Sequence, residues 1–374
     1  MSARRHIGRL LRRTLAEPRY ALRSLWQRLR GRLAYVRGNG RAAPPGTVRL
    51  FLTPHNRPAE RANAAQAPQD LLSRKEIRQL LDDVAGFRPT IVLCGEPLLH
   101  PEFAGIVQDV KADGLRLHVV TDASLLDNVA DLVVDFGMDE LFVSLDGPRE
   151  VHDEIRGAPG SFDRVVENLE RLRQEQRERG KKTPVVNVTG AVSELGYERL
   201  PELIPIANRL GAGSLTIRHL VFQGPDTADS HHELFGSAFG TTCAGGEGLV
   251  LNRLPNIDAE KMIAVRREME GARSRADVSF RPHLSDNEIR EWYGGLAFAP
   301  RLRGGRCRGP WMTGRVFADG GVGPFHALGF VAGNLRQTPF PEIWNNEAYV
   351  RFRRTLKQCG PFPLCSRCTE LYPL

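Results

Sequence analysis

From Thr47 onward the sequence alternates short apolar runs with longer helical stretches, and this alternation limits the fold more than any other feature. The apolar runs are Val48–Leu52, Ile91–Cys94, Leu117–Val120, Leu141–Leu145, Val185–Val192 and Leu215–Ile217. The helical stretches between them are Arg74–Val84, Phe103–Lys111, Leu125–Phe136, Phe162–Arg179 and Tyr197–Arg209. Strands that alternate with crossover helices predict an α/β fold with a parallel sheet, either doubly wound or curled into a partial barrel.

The composition changes along the chain and predicts four segments. Residues 1–46 form a basic amphipathic arm and a linker, and residues 47–223 carry the strand–helix alternation. Residues 224–300 are expected to be an irregular connecting segment that contains one charged helical run, 258–272. Residues 301–374 are rich in Gly, Pro and Cys, which is typical of a small module stabilised by loops or metal.

The arm carries the positive charge of the whole chain. Residues 1–44 contain twelve arginines and a single acidic residue, Glu17, so their net charge is +11, whereas the remaining residues contribute −3 to the total of +8. Apolar residues spaced three and four apart predict an amphipathic helix with a basic polar face; they are Leu22, Leu25, Trp26, Leu29, Leu33 and Val36.

Three functions of this helix are open at this stage. It can cover the protein's own body or a partner, which we favour, or it can lie on a membrane surface. Nucleic-acid binding lacks support, because the arm has no aromatic-rich platform. The break at residues 42–46 (Ala-Ala-Pro-Pro-Gly) predicts that deleting residues 1–44 leaves a folded body.

The sequence also argues against secretion and against membrane spanning. We find no apolar run long enough for a transmembrane helix, and the basic amino-terminal segment lacks the apolar core of a secretory signal. The six cysteines do not have the distribution of a secreted disulfide framework. The expected location is therefore the reducing cytoplasm, with a peripheral membrane location as the alternative that the arm raises.

Three motifs, in this order, resemble those of the radical S-adenosylmethionine (SAM) superfamily, in the branch with a carboxyl-terminal SPASM or twitch domain. The first is CGEPLLHP at Cys94–Pro101, and the second is SLDGPREVHDEIRG at Ser144–Gly157. The third is a series in the tail: CRGPW from Cys307, DGGV from Asp319, EIWN from Glu342 and CSRC from Cys365. The resemblance implies a partial (β/α)6 parallel barrel over residues 47–223 and a SPASM-like module over residues 301–374.

The first two motifs imply a SAM site at the carboxyl ends of the strands. By this resemblance Gly95, Glu96 and Pro97 hold the amino group of SAM, and Ser144 and Asp146 lie at the ribose. The chemistry of the side chains agrees, since a carboxylate forms charge-assisted hydrogen bonds with an ammonium group. Without the motifs, Glu96 would be an ordinary strand-end carboxylate and Asp146 an ordinary turn residue.

The sequence departs from the superfamily after the first strand, where the family carries a CxxxCxxC motif. The spacing places Asn56, Glu60 and Asn63 at the positions of the three cysteines. Neutral amides and one carboxylate do not replace the thiolates that hold a [4Fe–4S] cluster. We therefore predict no barrel cluster and no reductive radical chemistry. Cys94 is a single thiol and is more consistent with a buried strand residue.

The carboxyl-terminal module offers a second set of ligands. The candidate metal ligands are Cys307, Cys365 and Cys368, with Cys359 nearby and His326 as a possible replacement for a family cysteine. This set is compatible with a zinc ion or with an iron–sulfur cluster, and a site that holds no metal is the third alternative.

Two functions follow from these observations. The first is a pseudoenzyme or partner subunit in peptide or natural-product modification, which binds SAM and works beside an active radical SAM homologue or presents a substrate peptide or small molecule. The second is an enzyme that uses SAM without radicals, as a donor of methyl or aminocarboxypropyl groups. The sequence names no catalytic residue for the second function.

Overall fold

The computed structural model describes residues 18–54, 70–240, 246–300, 307–325 and 328–371. Its strands are β1 (Thr47–Phe51), β2 (Thr90–Cys94), β3 (Arg116–Thr121), β4 (Glu140–Ser144), β5 (Val185–Ala191), β6 (Ser214–Arg218), β7 (Asp277–Arg281), β8 (Thr313–Val316), β9 (Gly321–Gly323) and β10 (Gly333–Asn334). All ten belong to one sheet, with the order β10-β9-β8-β1-β2-β3-β4-β5-β6-β7.

In the described part of the chain, one helix precedes β1, one or two lie between each pair of successive strands from β1 to β8, and two follow β10. The helices are α1 (Pro18–Arg37), α2 (Arg74–Val84), α3 (Phe103–Ala112), α4 (Ala130–Asp135), α5 (Arg149–Arg156), α6 (Ser161–Glu178), α7 (Leu203–Arg209), α8 (Pro225–Phe239), α9 (Ala259–Gly271), α10 (Asp286–Gly294), α11 (Gly309–Met312), α12 (Phe340–Trp344) and α13 (Glu347–Cys359).

Strands β1 to β7 are parallel in every neighbouring pair, so the predicted α/β fold with a parallel sheet is confirmed. Over the described part of the chain the sheet is open, with β7 and β10 as its edge strands. Each strand sends alternate side chains to opposite faces, which in β1 places Val48 and Leu50 in the main core with the helices. The opposite face carries Phe51, which packs with Val92 and Cys94 of β2.

Two expectations about the later segments need correction. The stretch 224–300 is not irregular, because it contains α8, α9, β7 and α10, and β7 extends the parallel sheet beyond β6. The carboxyl-terminal segment also enters this sheet, since β8 pairs in parallel with β1 and antiparallel with β9. The domain boundaries themselves stay a prediction, but the sheet is continuous across them.

The arm helix α1 lies on the body with the face opposite to the expected one. Its contact face carries Tyr20, Gln27, Gly31 and Tyr35: the Gln27 amide donates to the Phe87 carbonyl at 3.3 Å, and the Tyr35 ring lies 4.8 Å from that of Trp311. The six apolar residues of the amphipathic pattern are all exposed. Within the described residues this apolar face therefore does not cover the protein's own body, and a partner, the other half of that expectation, is not tested.

The end of the arm and the linker are part of the folded body. Tyr35 and Ala42 belong to the main core, and the Lys357 ammonium group donates to the main-chain oxygens of Tyr35 and Val36 at 2.8 and 3.1 Å. Asn345 accepts a hydrogen bond from the Ala42 amide and donates one to its carbonyl. These contacts argue against the expectation that deleting residues 1–44 leaves a folded body.

We predict that Tyr35→Ala lowers the free energy of unfolding by about 3 kcal/mol, because it leaves a cavity beside Trp311. Leu25→Ala is the matched control, since it shortens an exposed side chain of the same helix and is expected to change stability by less than about 0.5 kcal/mol. Urea unfolding of both variants checks this. Equal losses in the two variants would show that α1 is held through its apolar face instead.

Candidate functional site

The predicted SAM-binding residues lie where parallel strands end. Gly95, Glu96 and Pro97 follow β2, Ser144 is the last residue of β4, and Asp146 comes two residues later. Because the carboxyl ends of parallel strands meet at one edge of the sheet, all five belong to the same edge. The structure shows how this edge is held together.

Gly95 is required by the close approach of two strand ends. Its φ is +75°, and a Cβ atom at this position would lie 2.1 Å from the carbonyl oxygen of Thr53, which follows β1. An L-residue with a side chain therefore fits here neither by conformation nor by space. Glu96 also has a positive φ of 53°, and Pro97 opens a single 3-10 turn, Pro97–Leu99.

The carboxylate of Glu96 is buried and joins the ends of β2 and β3. Thr121 Oγ1 donates to Glu96 Oε1 at 2.6 Å, and the main-chain N–H of Asp122 donates to Oε2 at 2.8 Å. Glu96 is only 3% exposed. A carboxylate in this position can form a charge-assisted hydrogen bond with an ammonium group. The ligand role of Glu96 stays a prediction.

Arg156 is a residue of this edge that the sequence analysis did not single out. Its guanidinium lies 2.7 Å from Asp146 Oδ2 and 3.9 Å from Asp122 Oδ2, so it links the residues after β3 and β4. The Arg156 side chain is 10% exposed, and its buried Nε has no hydrogen-bond partner within the described residues. The signal was present, because Arg156 belongs to the HDEIRG part of the second motif.

The other polar residues of that motif form hydrogen bonds within the fold. His152 Nδ1 accepts a hydrogen bond from the Asp146 main-chain N–H at 3.2 Å. Burial lowers the pKa of His152, and the positive charge of Arg156 lowers it further, which favours the neutral imidazole that can accept this bond. Asp153 accepts hydrogen bonds from the main-chain N–H groups of Gly160 and Phe162, just before and within the first turn of α6.

Ser144 lies on the sheet face that the main core does not cover. The register continues from Ser144 to Thr189, then to Thr216 and Ser279, which gives a row of hydroxyl groups across β4 to β7. The hydroxyls of Thr216 and Ser279 are 3.3 Å apart. This row can hydrogen-bond a polar ligand, but no contact in the structure tests the predicted ribose role of Ser144 and Asp146.

The side chains at the end of the barrel strands do not fit a barrel iron–sulfur cluster held by cysteines. Cys94 is the first cysteine of the chain, and the next is Cys243. Cys94 is buried and packs with Phe51, Val92, Val120 and Phe317. One thiol in an apolar cluster does not supply three thiolates. Asn56, Glu60 and Asn63 lie outside the described residues.

The carboxyl-terminal cysteines do converge. Cys307, Cys365 and Cys368 line one pocket, whose walls include Phe325, Phe352 and Phe362. Cys359 is exposed at the end of α13 and does not line it, and His326 lies outside the described residues. Within the described ranges, no group of three or more His, Cys, Asp or Glu side chains is arranged to hold a single metal ion. The choice between a zinc ion and an iron–sulfur cluster at these three thiols stays a prediction.

The fold and the edge residues define an α/β protein built on an open parallel sheet with its site at the strand carboxyl ends. Two family models match the chain: the radical SAM superfamily at residues 58–194, and the SPASM domain, described as an iron–sulfur cluster-binding domain, at residues 307–369. The chain is a member of the radical SAM superfamily with a carboxyl-terminal SPASM domain.

Similar proteins include two curated relatives with related activities. The chain is 25% identical to an AdoMet-dependent heme synthase from Methanosarcina barkeri, over 81% of this chain and 82% of the relative. It is 24% identical to a pre-heme d1 synthase from Dinoroseobacter shibae, over 79% and 70% of the two chains. Each of these is a similarity and not an identity of function.

A solved structure confirms the fold. The Streptococcus suis protein SuiB matches with a TM-score of 0.58 and 10% identity, covering 86% of this chain and 70% of SuiB. With the open sheet described above, this likeness confirms the partial barrel as the fold. The relatives do not bear out the predicted absence of a barrel cluster, since radical SAM proteins as a family imply one. That absence rests on the sequence and stays a proposal.

We predict that the carboxyl-terminal module binds metal through Cys307, Cys365 and Cys368. Anaerobically purified protein should contain iron and sulfide if it holds a cluster, and zinc without sulfide if it holds a single ion. Cys365→Ala should remove most of the metal, because it deletes one of three converging thiols. Cys359→Ala is the control and should retain the metal. Elemental analysis decides, and an unreplaced chain without metal would contradict the prediction.

Proposed function

We propose that this protein binds SAM at the carboxyl-terminal edge of its parallel sheet but lacks the barrel cluster that reductive radical chemistry requires. In this proposal it serves as a pseudoenzyme or partner subunit in the modification of a peptide or another natural product. The observation that carries the proposal is the combination of an intact strand edge, from Gly95 to Asp146, with the absence of cysteines before Cys94.

The case for SAM binding comes from the arrangement of charge at this edge. Glu96 offers a buried carboxylate, and Arg156 holds Asp146 beside the row of hydroxyl groups. An ammonium group suits the first, and the hydroxyl groups of a ribose suit the second. Solved structures with the same fold contain SAM, among them SuiB bound to S-adenosylmethionine, with a TM-score of 0.55 and 11% identity.

The argument against radical chemistry is that the described residues of this edge offer no ligands for a centre that could supply an electron. Reductive cleavage of the sulfonium group of SAM needs an electron from a low-potential centre beside it. Thiolates are the ligands that hold such iron–sulfur centres, and this edge has only Cys94, which packs among apolar side chains. A cluster in the SPASM module would belong to a different part of the chain.

A second candidate function is favoured by the relatives, whose names describe enzymes, a heme synthase and a pre-heme d1 synthase. By this candidate the protein is itself an enzyme that acts on SAM. Without a reducing cluster the chemistry would be group transfer: a substrate nucleophile attacks a carbon bound to the sulfonium, the carbon–sulfur bond breaks, and its electron pair stays on sulfur as a neutral thioether. No described side chain is assigned as the base in such a step.

The two roles in the proposal would require different partners. A partner subunit would associate with an active radical SAM homologue, whereas a presenting role would require a peptide. SuiB has been solved bound to its precursor peptide SuiA, in a structure with a TM-score of 0.58 and 12% identity to this chain. That likeness supports a peptide as one candidate for the molecule that this protein presents.

We predict that SAM or S-adenosylhomocysteine binds and that Glu96→Gln weakens binding at least tenfold, which corresponds to about 1.4 kcal/mol. The substitution removes the negative charge that would pair with the ammonium group. Thr121→Val is the matched control, because it deletes the donor to Glu96 Oε1 and keeps the carboxylate. Calorimetry measures both variants after thermal unfolding has confirmed that they are folded.

Three results of this experiment differ in meaning. A large loss in Glu96→Gln with a small loss in Thr121→Val supports a charge contact with the ligand. Equal losses would mean that Glu96 only holds β2 and β3 together. No heat with either ligand in the folded, unreplaced protein would end the SAM proposal and leave a scaffold.

A separate prediction concerns the barrel cluster. After Cys307, Cys365 and Cys368 are replaced together by Ala, anaerobic reconstitution with iron and sulfide should give no absorption band near about 400 nm from thiolate-to-iron charge transfer. Circular dichroism confirms that the triple variant is folded. Stoichiometric iron and sulfide in this variant would place a cluster in the barrel and favour an active radical enzyme.

A further inference from the structure

The arm helix α1 presents an apolar stripe that nothing in the described part of the chain covers. Its six residues are between 46% and 66% exposed; they are Leu22, Leu25, Trp26, Leu29, Leu33 and Val36. Their spacing of three and four places them on one side of the helix. A stripe of large apolar side chains of this kind marks an interaction surface, because scattered exposed residues would not align.

The arm is held to the body by its opposite side, so the stripe is fixed facing outward. The Tyr20 hydroxyl lies 3.5 Å from Thr90 Oγ1, and the Arg116 guanidinium lies 4.2 Å from the Tyr20 ring. Further along, a Cβ atom added to Gly31 would lie 3.0 Å from Met312, and Tyr35 stacks edge-on against Trp311. Rotating the helix to bury the stripe would break these contacts.

Arginines flank the stripe on both sides. On a helical wheel Arg28 and Arg32 fall on one side of it, and Arg23, Arg30 and Arg37 on the other. The helix contains no acidic residue, and the chain outside residues 1–44 has a net charge of −3. The Arg30 guanidinium lies 4.4 Å above the Trp26 ring, which joins the aromatic residue of the stripe to the basic flank.

We propose that α1 docks on an anionic phospholipid membrane surface, lying in the interface with its apolar stripe in the acyl boundary and its arginines at the headgroups. Apolar stripes with basic flanks are the feature of helices that lie at such interfaces. Anionic lipids attract the basic flanks, whereas they would repel the acidic body. A second copy of this chain fits poorly, because pairing two stripes would bring like-charged flanks together without acidic partners.

The position of the arm agrees with this orientation. Thr90 and Arg116 are the first residues of β2 and β3, so α1 begins at the amino-terminal ends of the parallel strands. The edge that carries Glu96 and Asp146 is the opposite one. A protein docked through α1 would keep that edge away from the membrane. No helix among the described residues is long and apolar enough to cross a bilayer, so the proposed helix lies on the surface.

The full-length protein carries its own probe for a test. Trp26 is 56% exposed, whereas Trp292, Trp311 and Trp344 are at most 2% exposed, so acrylamide quenching of tryptophan fluorescence reports mainly on Trp26. Vesicles of phosphatidylcholine alone are compared with vesicles that also contain phosphatidylglycerol, by co-flotation and by quenching. We expect flotation with the anionic vesicles only, a loss of quenching when they are added, and release at high salt.

Two variants and one control distinguish binding through the stripe from nonspecific binding to vesicles. Leu25→Ala with Leu29→Ala should weaken flotation at least tenfold, and Arg23→Gln with Arg28→Gln and Arg32→Gln should weaken the preference for anionic vesicles. Leu195→Ala is the control, since Leu195 is similarly exposed at 54% but lies outside the arm, and it should bind normally.

The proposal is overturned if the folded protein floats with neither vesicle, or if the double Leu variant floats as well as the unreplaced chain. It is also overturned by a concentration-dependent dimer in sedimentation that Leu25→Ala with Leu29→Ala abolishes, which would assign the stripe to a second copy. A third contrary result is a rise in Trp26 quenching when residues 1–17 are deleted. That result would mean that the chain's own amino-terminal segment covers the stripe.

Discussion

Strand β1 pairs in parallel with a strand on each side, β2 and β8, and this double pairing unites the two ends of the chain in one sheet. Arg49 of β1 aligns with Val92 on one side and Arg315 on the other. The radical SAM part and the SPASM part are therefore not two bodies in loose contact. The end of β1 leads to Thr53, whose carbonyl oxygen excludes any side chain at Gly95, so the same strand also sets the site edge.

A buried arginine, Arg367, holds the carboxyl-terminal module to the segment after β6 and to the end of α10. Arg367, between Cys365 and Cys368, donates hydrogen bonds to the main-chain carbonyls of Phe222, Trp292, Gly295 and Leu296 at 2.6 to 3.2 Å. Its guanidinium also lies 4.0 Å from the Phe222 ring. A charge taken from water is costly unless it is well hydrogen-bonded. The bonds therefore fix the loop that carries two of the three converging thiols.

Arg353 does the same for the arm. It donates to the Pro310 and Trp344 carbonyls at 2.8 and 2.7 Å and stacks on the Tyr349 ring. Burial lowers its pKa to about 10, which still leaves it charged near neutral pH. Since Arg353 also reaches the Gly40 carbonyl at 3.5 Å, the linker after α1 is tied to the helix α13. This contact acts together with those of Lys357 and Asn345, which also join the arm and linker to the carboxyl-terminal module.

The sequence predicted the parts of the fold that apolar runs reveal. β1 to β6 are apolar enough to be recognised, but β7 reads Asp-Val-Ser-Phe-Arg and offers only Val278 and Phe280 to the core. β8 contains Gly314 and Arg315, and its strand character comes from pairing with a distant β1. The apolar stripe of α1 was found from its spacing. Which face meets the body depends on Trp311 and Met312, far along the chain, and local periodicity does not show them.

The same limit applies to the site. The motifs located Glu96 and Asp146, but Thr121 and Asp122, the partners of Glu96, lie outside them, and the motif letters do not show that Arg156 pairs with Asp146. These partners change how the motifs are interpreted. Glu96 holds two strand ends, His152 supports the Asp146 main chain, and Asp153 accepts bonds that start α6. Each of these bonds contributes to the fold whether or not a ligand binds.

The presence of the motif residues is therefore direct evidence for the shape of the site. It is evidence for a ligand only because that shape suits one. Thr121 and Asp122 hold the Glu96 carboxylate in place before any ligand arrives, which lowers the ordering cost of binding an ammonium group. Glu96 is 3% exposed, and a buried carboxylate is stabilised by each charge-assisted hydrogen bond that it accepts. The Glu96 carboxylate would serve both the fold and the ligand. Only a substitution that removes its charge and keeps the fold can therefore separate the two roles.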